Sequence, residues 1–336
     1  MEGSKAFSVV DVFSRTPYKG NPLAVVENLT DNLSDDQLKL ITQQFNLSET
    51  TFFSHPTTPK ADFKLRSFLP DGKEVLGIGH NILGAWWHLA HNGFLNLSSP
   101  VTLDEQTGTE RFLFHQELGT AVMPVSISRT KSGSAGGSEI TVSIRQARPA
   151  AHNIHPDPAA LAAGFGLSPR DVELGGLPSQ VMSTATTRHL MVPVSSVEAL
   201  NRAVVHRDGL LAQLKAVDDK AYGLYLFTPV PQGAGKDVPV FQARFFSPGM
   251  SKEDPATGSA AGPLAAYLYK HGHLNLDSGS ARMQVKQGLM VGRDCLIDLV
   301  VSRSGTEEEV DVDVVATGAQ VADGRITVPD PSLKFN

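Results

Sequence analysis

The chain has one cysteine, Cys295, in 336 residues, which excludes an internal disulfide and makes the cytosol the default compartment. It has no apolar run approaching the roughly 18 residues of a membrane helix, so no membrane partner is expected. It has no block of basic residues. With 29 Lys and Arg against 35 Asp and Glu, the net charge is −6 and nucleic acid is not an expected partner. The N-terminal stretch from Met1 to Ser8 lacks the apolar core of a secretory signal. Nucleotide motifs are missing too. Gly77, Gly79 and Gly84 do not have the spacing of a dinucleotide loop, and no Lys stands where a phosphate-binding loop requires one. No cofactor is expected on these grounds. An acidic chain can still bind an anion, because a local site can be positive.

What is present is a globular composition, 41% hydrophobic and 19% charged, in a chain long enough for about two domains. One segment occurs twice. Arg66-Ser-Phe-Leu-Pro70 precedes Gly79-His80 and a helical run that ends at Gly93. Arg244-Phe-Phe-Ser-Pro248 precedes Gly258-Ser259 and a run that ends at Gly272. Arg66 and Arg244, Pro70 and Pro248, and Gly84 and Gly262 are each 178 residues apart, while Gly79 and Gly258 need one residue of slack. A single long-offset repeat indicates a duplicated domain, and hence two similar lobes.

Alternation predicts strands over 7–13, 62–68, 140–144, 188–194, 222–228 and 240–246, with further strands near 21–26, 50–53, 100–104, 111–115 and 120–128. Ser34 and Gln37 frame the start of a helix over 35–45. The duplicated helices are predicted at 80–91 and 258–271, shorter helical pieces at 157–164, 168–174 and 197–204, and several strands between 283 and 328. Many strands with few helices indicate an α+β fold rather than a doubly wound sheet. The small, polar segment 130–138 reads as a mobile loop near the lobe boundary or as a hairpin tip. The lobes are placed at 1–128 and 129–336.

Three places could carry chemistry. Glu49 stands at a helix-to-strand turn between Leu47 and Phe52-Phe53, where apolar neighbours would raise its pKa toward that of a general acid or base; from the residues alone a solvated turn residue is the stronger reading. His80 opens a helix, where the dipole favours a neutral imidazole able to exchange a proton, or where it simply caps the helix. Thr257-Gly258-Ser259 begins the second duplicated helix. Its free amides and hydroxyls form an anion cradle suited to a carboxylate, with Asp254 upstream to orient an amine or hydroxyl; an Asx-turn with an N-cap is the competing reading. His88 with His91, and His271 with His273, have no evident third ligand, so no metal is expected. Cys295 reads as a core strand residue.

Taken together, Gly20-Asn-Pro-Leu-Ala-Val-Val, Asn46-Leu-Ser-Glu-Thr-Thr-Phe, Leu65-Arg-Ser-Phe-Leu-Pro, Glu74 with Gly79-His80, Arg244-Phe-Phe-Ser-Pro, Glu253-Asp-Pro-Ala-Thr-Gly-Ser-Ala and Gln287-Gly288 with Gly292-Arg293 make the chain resemble the PhzF-like (phenazine biosynthesis-like) family. That resemblance implies the diaminopimelate epimerase-type fold, two pseudo-symmetric lobes each wrapped round a central helix, and a site between them. It implies a cofactor-independent isomerase of a small carboxylate, and a homodimer. Glu49 corresponds to the family's proton-moving Glu, His80 to its His, and Asp254 and Ser259 to its Asp and Ser. Gly79, Asn81 and Gly258 join Ser259 as substrate-binding positions. Family members usually read Gly-His-Ala-Thr-Leu-Gly where this chain reads Gly-His-Asn81-Ile82-Leu-Gly, which sets a polar and a bulky residue at the cleft and suggests a different substrate. Racemases on this fold use one Cys on each lobe. With Cys295 alone that mechanism is closed, and one carboxylate returning a proton on the same face gives isomerisation without inversion. Assisted cyclisation, or ligand binding without turnover, are the alternatives.

Overall fold

The computed structural model describes residues 3–77, 79–131, 138–232, 238–250, 253–276 and 278–335, with the side chains of 306–308 left aside. The chain forms two compact units, Met1–Ile144 with Val315–Asn336, and Arg145–Val314. The boundary therefore lies beyond the 128 read from the sequence, and the last 22 residues return to the first unit. The reason is pairing that no local pattern reveals. The final strand, Gly318–Thr327, lies antiparallel to Ser4–Val12, with Ser4 opposite Thr327.

In the first unit the strands are β1 (Ser4–Val12), β2 (Asn21–Glu27), β3 (Thr50–Ser54), β4 (Phe63–Phe68), β5 (Glu74–Val75), β6 (Thr102–Asp104), β7 (Thr109–Leu118), β8 (Ala121–Lys131) and β9 (Ser138–Arg145, crossing the boundary by one residue). Helix α1 (Asp35–Phe45) connects β2 to its parallel neighbour β3. It begins with a reciprocal capping box: Ser34 Oγ accepts from Gln37 N at 3.3 Å, and Gln37 Oε1 accepts from Ser34 N at 2.9 Å. Its apolar stripe, Leu38 and Ile41, packs with Val26, Phe52 and Phe68 on the outer side of the sheet. Helix α2 (His80–His91) is buried from His80 through Ala90, as a helix wrapped by a sheet must be. Gly84 lets it close on the sheet, since a Cβ there would stand 2.5 Å from Val12 Cγ2 and 2.8 Å from Leu23 Cδ2.

In the second unit β10 (Ala150–Ile154), β11 (Gln180–Ser183), β12 (Arg188–Pro193), β13 (Gly223–Pro229), β14 (Val240–Phe246), β15 (Ser280–Gln287) and β16 (Cys295–Ser304) pair in that order, and β17 (Thr306–Ala316) leads back to the last strand, β18 (Gly318–Thr327). Helices α3 (Pro158–Gly164), α4 (Val197–Arg202) and α5 (Arg207–Val217) cover one face. The central helix is α6 (Gly258–Lys270), buried from Gly258 through Leu268 except at Ser259.

The duplication shows in the ladders. From β1 the pairings run antiparallel to β2, parallel to β3, antiparallel to β4, parallel to β7 and antiparallel to β8. From β11 they repeat that sequence through β12, β13, β14, β15 and β16. Each parallel step spans a helix, an outer one first and the central one second, as parallel crossovers require. The fold is α+β.

The mobile-loop reading of 130–138 falls mostly outside the described residues; its ends, Lys131 and Ser138, pair with each other in the first unit. Among the described residues no helix is long and apolar enough to cross a membrane. Cys295 is fully buried in β16, as the sequence suggested.

Candidate active site

Glu49 is delivered by the end of α1. The C-cap Asn46 adopts φ +50°, which turns the chain back toward the sheet three residues before Glu49 and four before β3 begins. The Glu49 side chain is 18% exposed and that of His80 is 7% exposed, and Glu49 Oε2 lies 3.2 Å from His80 Nε2. The solvated-turn reading of Glu49 is therefore excluded. Burial raises its pKa from 4.5 to about 7, because the ion loses its hydration.

The pair is held by the sheet behind it. Thr51, two residues after Glu49, donates from Oγ1 to the carbonyl of Asn81 at 3.2 Å and shares a 2.8 Å hydrogen bond with Ser67 on β4. One strand thus fixes both the acid and the start of the helix that carries His80. Asn81 shapes the turn before that helix: its Oδ1 accepts from Gly79 N at 3.0 Å and its Nδ2 donates to Gly77 O at 3.2 Å. Asn81 is 2% exposed with its amide spent on its own loop, and Ile82 is fully buried. The expectation that Ile82 stands at the cleft is corrected. A helix buried on all sides turns that position into the core.

The second unit holds the other predicted residues together. Asp254 Oδ2 accepts from Thr257 Oγ1 at 2.5 Å. Gln287 organises this loop from below: its Nε2 donates to Asp254 O at 2.8 Å and Thr257 Oγ1 at 2.9 Å, while its Oε1 accepts from Thr257 N at 3.2 Å and Tyr225 Oη at 3.0 Å. Gly258 and Ser259 then open α6, where the first amides have no intrahelical acceptor. Pro263 has no N–H for the carbonyl of Ser259, and Thr187 Oγ1 approaches that oxygen at 3.5 Å instead. Gln146 Nε2 donates to Gly258 O at 2.9 Å.

Each loop is closed by the same device. Arg66 clasps Glu74 at 2.8 and 2.7 Å, and its Nη1 reaches Asp35 at 2.8 Å. Arg244 clasps Glu253 at 3.0 and 2.9 Å, and its Nη1 caps the end of α4 at Leu200 O and Ala203 O, 2.9 and 2.8 Å. Each guanidinium also lies 5.0 Å from the ring two residues on, Phe68 or Phe246. The glutamates stand 8 and 9 residues after their arginines, which is the slack in the sequence repeat.

Among the described residues no group of three His, Cys, Asp or Glu side chains is placed to hold a metal ion. His91 stacks on Trp87 at 4.5 Å, His88 Nδ1 pairs with Asn92 at 2.9 Å, and His271 pairs with Gln180 at 2.9 Å. Sequence reasoning quoted Gln287 as part of a motif without giving it a role, and passed over Tyr225. A Gln-Gly step was visible, but nothing local tied it to a loop 30 residues earlier.

The family model for phenazine biosynthesis-like proteins matches residues 10–324. The chain belongs to that family. Among its relatives is the trans-2,3-dihydro-3-hydroxyanthranilate isomerase of Pseudomonas aeruginosa, 29% identical over 321 residues, covering 95% of this chain and 98% of that one. An uncharacterized isomerase of Pasteurella multocida is 31% identical over 302 residues, covering 90% and 88%. This family member is itself an isomerase. Its fold is that of a PhzF-family phenazine biosynthesis protein from Bacillus anthracis, with a TM-score of 0.79 at 22% identity over 97% of this chain and 99% of that one. It is the diaminopimelate epimerase-like fold.

Proposed function

We propose that this isomerase moves a proton on a small carboxylate-bearing substrate, with Glu49 taking the proton from an activated C–H and returning it elsewhere on the same face. The observation that carries this reading is the buried Glu49 carboxyl with its pKa near 7, 3.2 Å from His80. Such a group is present both as acid and as base at neutral pH, which is the condition for efficient proton transfer without metal or coenzyme. His80 stabilises or relays the proton. In the second unit, the amides of Gly258 and Ser259 and the Ser259 hydroxyl hold a carboxylate at the positive end of α6, and Asp254 orients an amine or hydroxyl. Relatives act on a dihydro-hydroxyanthranilate, itself a carboxylate, which supports that substrate class.

The test is turnover of trans-2,3-dihydro-3-hydroxyanthranilate and a panel of small hydroxy- and amino-carboxylates, with product mass and ring count recorded. The expected product has the mass of the substrate, and Glu49→Gln reduces turnover by at least ~10²-fold while ligand-induced thermal stabilisation persists. A change in mass or ring count would replace isomerisation by another reaction. Binding with no conversion at all would make the chain a binding protein.

A further inference from the structure

The repeat can be carried strand by strand to ask what the second unit offers where the first offers Glu49. Arg66 stands opposite Phe52, and Phe52 opposite Val26. Their counterparts follow from the Arg66–Arg244 repeat: Arg244 stands opposite Leu226, and Leu226 opposite Val192. Three residues back along these strands are Glu49 and Leu23 in the first unit, and Gly223 and His189 in the second, the last two directly paired. The counterpart of the acid is thus a glycine. Its missing side chain is required: a Cβ on Gly223 would lie 2.4 Å from His189 Nδ1 and 2.7 Å from the Phe245 ring. The imidazole takes the space that a side chain at 223 would need.

His189 is 1% exposed, and neither ring nitrogen has a hydrogen-bond partner among the described residues. Its ring lies edge-on between Tyr222 and Phe245, each 5.0 Å away, and burial pushes its pKa down to about 3, so it is neutral across the physiological range. Phe245 also connects it to the site loop, because Asp254 N donates to Phe245 O at 3.2 Å. A buried polar ring with both nitrogens unsatisfied costs stability that an apolar ring would not. The Glu49 side chain, the proposed proton carrier, is 18% exposed while its Oε2 atom is itself buried, so a buried polar atom does not by itself set His189 apart from the chemistry.

We propose that His189 is a substrate-recognition residue of the second unit. Its imidazole offers one donor and one acceptor to a group that can answer both, a hydroxyl or amino substituent of the carboxylate substrate. This rests on the isomerase reading above and adds to it the group that distinguishes hydroxy- and amino-carboxylates from plain ones.

The experiment compares His189→Phe, His189→Gln and Glu49→Gln with the wild type, using trans-2,3-dihydro-3-hydroxyanthranilate. If that compound is not turned over, the first hydroxy- or amino-carboxylate that raises the wild-type Tm takes its place. Phe fits between Tyr222 and Phe245 without polar atoms. Its variant is expected to keep or raise Tm while KM rises about tenfold, the worth of one buried hydrogen bond, with kcat within about threefold. Gln, which keeps a donor and an acceptor, restores part of the loss. In wild-type protein labelled with 15N-histidine, the ring resonances missing from the His189→Phe spectrum shift when ligand is added, a readout that does not depend on any variant folding. An unchanged KM in His189→Phe, or unmoved His189 resonances under saturating ligand, would overturn the proposal. If Glu49→Gln retains wild-type turnover, proton transfer by Glu49 falls, and the ring resonances still decide His189.

Discussion

Replacing Glu49 by Gln should stabilise the protein at alkaline pH and leave it unchanged at acidic pH. In the native state the carboxyl keeps its proton up to about 7, whereas the unfolded chain releases it near 4.5. Between these values the folded state binds more protons than the unfolded state, so stability falls as pH rises. Each pH unit across that window is worth about 1.4 kcal/mol, which makes the full penalty about 3 kcal/mol above pH 7 and nil below 4.5. Gln keeps the size of the side chain and removes the titration. Urea denaturation followed by tryptophan fluorescence is the assay, because the chain's two tryptophans, Trp86 and Trp87, both lie in α2, the helix that His80 begins. The signal therefore reports the first unit, where Glu49 resides. The stability gap between variant and wild type should open from nothing near pH 4.5 to about 3 kcal/mol at pH 8. A gap that stays constant over this range would show that burial does not hold the Glu49 proton, and the argument for its role as a base would lose its footing.

The pH dependence of kcat/KM should rise through about 7 and level off, since Glu49 accepts the proton as the carboxylate, and a pH–rate profile checks this. Arg244→Met strands Glu253 and two α4 carbonyls in a buried setting and should cost about 3–5 kcal/mol, seen as faster hydrogen exchange in β14 and α6. Arg66→Met breaks the more exposed copy of the clasp, where side-chain exposures are 23% and 34%, and should cost about 1 kcal/mol or less in the same measurement over β4 and α2. Gly84→Ala drives a methyl into Val12 and Leu23 and should cost about 1–3 kcal/mol, read by tryptophan fluorescence in urea.

Much of this architecture was legible in the residues. The Ser34–Gln37 pair is a local signal, and α1 starts and stops where it predicts. The central helices were legible because a Gly-led start and a Gly stop bound each one, and because the repeat named both at once. Glu49 and His80 were named from apolar flanks and a helix start, and they do meet. What stayed hidden depends on distance along the chain. Strand β18 belongs with β1, but alternation says only that it is a strand, never which edge it joins. Helix α5 was missed, although Leu210, Leu214 and Val217 form a short buried stripe, because Gly209 and scattered charges blur its period. Ile82 was set at the cleft because it departs from the family's Gly-His-Ala-Thr-Leu-Gly pattern, and a motif does not say which side of a helix buried on all sides a residue faces. The arginine clasps, Gln287 and His189 all draw their meaning from partners on other strands, which composition and spacing do not encode.

The claim at the centre is that one buried carboxyl is poised at neutral pH to accept and return a proton. A 13C NMR titration of the Glu49 side-chain carboxyl, identified by its loss in Glu49→Gln, tests it most directly. The account predicts a midpoint near 7. A midpoint in the ordinary carboxylate range, close to 4.5, would contradict it.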